Sequence, residues 1–298
     1  MLKAYLYIFI AASCWGFIGI FSSLAFSFGI EPMEVAFWRA VLAWVCFASY
    51  AVIKKETKIE IKDAPLLLFF GIFGVTVFYI SYQYAVKEGG AAFASVLLYT
   101  APAWVVFFSI FIYKEKLTVI KLGTLFLVIL GVILISKGSV STTDSIKIIS
   151  SGTLPSLGYI AIISGLGSGF CYSLYYTMGK YFSKKYTSAN LFFYVLPVGA
   201  IGIYPFVNFA HKSVGAWAAL ILVAVISTFF ANFFYYLGLR SLEASKASIV
   251  ATLEPVIAAI TAYIFLGEYF SMSGYTGAIL IILAVFITIY KKEKEASV

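Results

Sequence analysis

The chain has 298 residues, of which 62% are apolar and only 11% charged, and its mean hydropathy is +1.00. Soluble domains carry roughly 25% charged residues, and a chain this apolar has too little polar surface to cover itself in water. A soluble enzyme is therefore excluded. The apolar runs are long and continuous rather than short and alternating, which excludes a membrane β-barrel. The net charge of +8 is distributed between apolar runs rather than gathered on one face, so no nucleic-acid partner is expected.

A membrane-spanning helix needs roughly 20 apolar residues. In chain order the sequence predicts ten such helices, at about 5–28, 33–53, 64–86, 91–113, 119–136, 157–178, 190–209, 214–238, 247–266 and 271–290. The first run is too long for a signal-peptide core and lacks a cleavage-like end, so it is read as a span. Sixteen of the basic residues fall on the side of the membrane that holds both termini, against four on the other. The excess of Lys and Arg predicts that both termini face the cytoplasm. The expected fold is an all-α membrane protein of ten spans in a cell membrane, bacterial plasma membrane in particular.

Residues 138–156, rich in Ser, Thr and Gly, form the longest connection on the other side and divide five spans from five. The halves, 1–137 and 157–298, lie over one another. Tyr82 and Tyr235, Ser95 and Ser248, Pro102 and Pro255, and Glu115 and Glu268 are all 153 residues apart. Five is odd, so the second half enters the membrane in the opposite sense, and two inverted repeats predict alternating access around a central site. Glycine pairs such as Gly16/Gly19, Gly71/Gly74 and Gly199/Gly202 suit close helix packing.

Leu253-Glu254-Pro255 followed by Leu266-Gly267-Glu268 has its first-half counterpart in Tyr99-Thr100-Ala101-Pro102 and Lys114-Glu115. Together with Trp15-Gly16 and Phe37-Trp38-Arg39-Ala40, this pattern resembles the drug/metabolite transporter superfamily in its ten-span EamA-type branch. The resemblance covers about Tyr5 to Tyr290 and implies a carrier of metabolites, amino acids or drugs. The first half departs from it in having Ala101 where the second has Glu254.

The candidate functional residues are those whose polarity is out of place in the membrane. Pro102 and Pro255 fall near mid-membrane, roughly 16 and 12 Å deep at 1.5 Å per residue. As hinges they would free the carbonyls of Leu98 and Ala251. Ser95 and Tyr99 share a helix face with Pro102, and Ser248 and Thr252 share one with Pro255, giving two polar stripes. Tyr79, Tyr82, Asn232 and Tyr235 sit on equivalent spans, with Tyr82 and Tyr235 as opposite gates. Trp15, Tyr172, Tyr175 and Tyr176 complete the substrate-binding set. Tyr84 and Tyr236 are read as belt residues at the membrane interface. Arg39 and Glu254 are the intramembrane charges; Arg39 either snorkels outward or serves the site, and Glu254 serves the site by default.

Cys14, Cys46 and Cys171 lie within apolar runs and His211 stands alone, so neither a metal nor a cofactor is expected. No phosphate-binding loop or hydrolase motif is present, since Gly179-Lys180 is followed by Tyr181 and Leu174 occupies the place of the first glycine. The expected partners are a small-molecule substrate and the bilayer, with the chain acting as a monomer or homodimer. A tyrosine-lined interior with two charges suits an amino acid first, aromatic ones included, and a small organic cation or drug second. A lipid-modifying intramembrane enzyme is a distant third.

Overall fold

A chain segment surrounded by lipid must pair every backbone N–H and C=O within itself, and the described residues are correspondingly helical. The computed structural model of the protein describes residues 2–89, 91–138, 159–266 and 271–296. Nine of its helical stretches are long and apolar enough to cross a membrane: Leu2–Ser27, Pro32–Ile53, Ile61–Glu88, Phe93–Tyr113, Val119–Ser136, Ser188–Phe206, Val214–Leu239, Ala244–Phe265 and Met272–Tyr290. The run expected at 157–178 forms a further helix, Tyr159–Ser183, which is richer in Gly, Ser and Tyr than those nine. The linker expected at 138–156 falls almost wholly outside the described residues, as do Gly267 and Glu268.

Local chemistry sets the helix ends. Helix α1 (Leu2–Gly16) gives way to α2 (Ile18–Ser27), and α3 (Pro32–Ile53) begins with a proline, whose missing N–H is no loss there. After α4 (Ala64–Phe69) the chain winds as a π-helix over Phe70–Val77 before α5 (Phe78–Gly89). Helices α6 (Ala91–Leu98) and α7 (Ala101–Tyr113) are separated by a turn at Tyr99-Thr100, and α8 (Val119–Gly138) follows. Helix α9 is Tyr159–Ser183. Helix α10 (Ser188–Ile203) is capped by Thr187 and α11 (Val214–Ala224) by Ser213, each side chain accepting from a backbone N–H in the first turn. A second π-helix, Val225–Phe230, leads into α12 (Ala231–Leu239). Helices α13 (Ala244–Ala251) and α14 (Glu254–Leu266) flank a turn at Thr252-Leu253, and α15 is Met272–Ala296.

The prolines therefore act differently from expectation. Pro102 and Pro255 do not kink a continuous helix. Each instead lies in the first turn of a new helix, after a two-residue break. Thr100 and Thr252 hold the breaks by donating their hydroxyls to Leu97 O at 2.6 Å and Ile249 O at 2.5 Å.

The helices pair in a reciprocal pattern. Helix α1 packs on α12, α13 and α14, while α9 packs on α5, α6 and α7; α3 packs on α10 and α8 on α15. Two glycines 153 residues apart permit close approaches. A Cβ on Gly16 would lie 2.6 Å from Ile257 Cγ2, and one on Gly169 would lie 2.5 Å from both Leu97 O and Thr100 Oγ1. Gly169 thus packs against the first break itself, and Gly16 against the first turns of α14 after the second.

Candidate functional site

Where the two broken stretches meet the two π-containing ones, the bundle leaves a cavity of about 300 Å³. Trp15, Arg39, Tyr79, Tyr82, Ser95, Tyr99, Tyr172, Tyr175, Asn232 and Glu254 line it, ten of the residues singled out from sequence. Phe78 and Thr228 also line it and were not singled out. Phe78 stacks on Tyr172 with ring centroids 5.4 Å apart and 16° between planes. A phenylalanine in an apolar run carries no sequence signal. Thr228 does carry a faint one, since it lies four residues before Asn232 and so shares its helix face.

Arg39 does not snorkel. Its Nε donates to Thr228 Oγ1 at 2.6 Å and its Nη2 to Ser227 O at 3.4 Å, both on the second π-helix. Its guanidinium lies 5.7 Å from the centre of the Tyr79 ring, within cation–π range. Glu254 accepts a hydrogen bond from the Tyr172 hydroxyl at 3.1 Å. Among the described residues neither Arg39 nor Glu254 forms an ion pair, with one another or with a third group. Asn232 donates from Nδ2 to Thr228 O at 2.8 Å, while its buried Oδ1 has no hydrogen-bond partner. The cavity is therefore lined by a guanidinium, a carboxyl group and an amide between aromatic walls.

Four of the expected residues lie elsewhere. Ser248 and Thr252 do not form a second polar stripe, because their hydroxyls donate back to Ser245 O and Ile249 O. Such local bonds satisfy a hydroxyl within its own helix. Tyr176 and Tyr235 sit behind the cavity wall, toward the end of α12 that carries Arg240. Tyr235 packs against Trp15 at 5.3 Å and against Tyr176 at 5.4 Å, and its buried hydroxyl has no partner. Tyr236 is no belt residue: it is buried against Phe192, and its hydroxyl donates to Tyr175 O. Tyr84 is exposed, as a belt residue would be.

Near the Arg240 end of α12 lies a polar knot that sequence reasoning missed. The buried Glu115 accepts from Ala244 N at 3.1 Å and from the Ser245 hydroxyl, at the first two residues of α13. Lys121 pairs with Glu115 at 3.0 Å and with Glu243 at 2.9 Å, and Lys246 pairs with Glu243 at 3.0 Å. Burial pushes the Glu243 carboxyl up, but the hydrogen bonds from Lys121 and Lys246 outweigh it and hold it below the ordinary value. Lys180 donates to Leu239 O and Arg240 O and so satisfies the C-terminal carbonyls of α12. Glu34 is a further buried charge absent from the expected pair. It is held by Lys212 at 2.5 Å, Trp38 Nε1 at 3.2 Å and Ala210 N at 3.0 Å.

Known proteins give this arrangement a family. A solved crystal structure superposes with a TM-score of 0.83 over 99% of both chains at 14% identity, a likeness of fold alone. An uncharacterized transporter of Archaeoglobus fulgidus is 26% identical over 98% of this chain and 100% of its own length. The uncharacterized transporter YyaM of Bacillus subtilis is 25% identical over 86% of this chain and 83% of its own. The sequence model of the EamA-like transporter family matches twice, over residues 2–137 and 159–290. With both halves matched and its helices apolar enough to cross a membrane, the chain is a multi-pass membrane protein that belongs to the EamA-like transporter family.

Proposed function

We propose that the protein is a secondary carrier that moves a small amino acid-like zwitterion, aromatic ones included, across the bacterial plasma membrane by alternating access. The observation that carries this reading is the presence of Arg39 and Glu254 in one cavity without an ion pair between them. A substrate carboxylate would meet the guanidinium, and a substrate ammonium would meet the carboxylate of Glu254 and Oδ1 of Asn232. The tyrosine rings around them suit a flat or apolar side chain. A volume of about 300 Å³ lies at the low end of small-molecule sites, which fits a single amino acid better than a bulky drug. A small organic cation is the second reading, favoured by the aromatic walls and opposed by Arg39.

The alternating-access part rests on ten spans arranged as two inverted repeats, 1–137 and 157–298, with both termini cytoplasmic. The reciprocal helix pairing, the two π-helices and the two breaks 153 residues apart all support it. In that frame the knot around Glu115 closes the cytoplasmic end and the substrate site is reached from outside.

Reconstituted protein should exchange a labelled amino acid across liposomes, with a panel of the twenty standard amino acids as competitors. Glu254→Gln removes the anion while preserving shape and should weaken competition by the best amino acid about thirtyfold, a typical loss for a charge-assisted hydrogen bond. Undiminished competition by Glu254→Gln would discard the zwitterion reading.

A further inference from the structure

Arg39 alone does not explain why its guanidinium faces the cavity rather than the membrane surface. The explanation lies on the second π-helix, Val225–Phe230. We infer that Thr228 is a positioning residue that locks Arg39 in a carboxylate-reading pose and so sets the preference of the site for acids over their amides. This rests on the zwitterion reading above.

A threonine hydroxyl has one proton to give and lone pairs to accept with. Thr228 gives its proton to Val223 O at 3.2 Å, five residues earlier. A helical threonine ordinarily bonds back three or four residues, so this reach depends on the wider π-winding. With its proton committed, Thr228 Oγ1 presents lone pairs outward, and one accepts from Arg39 Nε at 2.6 Å. Ser227 O accepts from Nη2 at 3.4 Å. The protein thus occupies the Nε–Nη2 edge of the guanidinium and leaves the Nη1–Nη2 edge for a ligand. That edge is a planar fork whose spacing matches the two oxygens of a carboxylate.

The same residue orients the other polar group of the wall. The backbone oxygen of Thr228 accepts from Asn232 Nδ2 at 2.8 Å, which turns the unpartnered Asn232 Oδ1 away from the helix. Thr228 therefore sets the pose of the cation through its hydroxyl and of the acceptor through its carbonyl. Among the described residues no acid forms an ion pair with Arg39: Glu34 is engaged by Lys212, and Glu254 is bonded to Tyr172. Removing the Thr228 hydroxyl should therefore leave the guanidinium held only by the longer bond to Ser227 O.

The test measures dissociation constants for the twenty standard amino acids and their carboxamides, on purified protein in detergent. For the tightest-binding amino acid, the wild type should prefer the acid over its amide by about tenfold or more. Thr228→Val keeps the shape and removes the acceptor, and it should compress that preference to within about twofold. Thr228→Ser should retain the wild-type preference, which a loss of general packing would not allow. If Thr228→Val does not fold, Thr228→Cys replaces it, because sulfur is a weak acceptor of similar bulk. A Val or Cys variant that keeps the wild-type preference overturns the role of Thr228 and leaves the zwitterion site standing. A wild type that shows no preference for any acid overturns both.

Discussion

The break at Tyr99-Thr100 and the break at Thr252-Leu253 are the same backbone device used for different chemistry. Each ends an eight-residue helix, is held by a threonine hydroxyl bonded three residues back, and restarts the helix with a proline in its first turn. The first break sends Ser95 and Tyr99 into the cavity and has Ala101 at the restart. The second keeps Ser248 and Thr252 bonded within their own helix and supplies Glu254 at the restart. A repeat thus conveys where the chain breaks. It does not convey which side chains face the site, because facing depends on what packs against each break.

The largest effect that bears on this comparison is structural. Glu115, just beyond the first broken stretch, holds the start of α13 in the second. Glu115→Ala leaves the buried Lys121 with Glu243 alone and α13 without its cap. Leaving the Ala244 N–H and the Ser245 hydroxyl without their acceptor costs about 1–3 kcal/mol each where they are buried, so thermal unfolding should begin at clearly lower temperature. An unchanged melting curve would show that the two breaks are held independently.

Tyr99→Ala comes next. It removes an aromatic wall of the cavity and should weaken amino acid binding about tenfold, the range of one lost aromatic contact, with normal insertion into the membrane. The smallest effect belongs to the other break. Ser248→Ala removes a hydroxyl that serves only its own helix, and binding should stay within about twofold of the wild type, as expected away from the site. Binding assays on the two variants together decide the matter. A loss at Ser248 equal to that at Tyr99 would restore the symmetric pair of polar stripes that the structure replaces with one.

The sequence by itself determined the membrane class, the helical content, the family and most of the cavity. Apolar run length forces helices in lipid, and polar residues stranded at mid-membrane converge because only one interior exists to shelter them. Trp15, Arg39, Tyr79, Tyr82, Tyr99, Tyr172 and Glu254 were legible for that reason. Tertiary structure alone decided the rest. Whether a hydroxyl turns outward or bonds its own backbone is a contest between near-equal hydrogen bonds, and neighbouring helices settle it, as Ser95 and Ser248 show. Whether Arg39 snorkels or turns inward depends on an acceptor 189 residues away at Thr228. The knot of Glu115, Lys121 and Glu243 joins residues from three separate loops and helix ends. Periodicity reports one helix at a time, so no reading of periodicity brings those residues together.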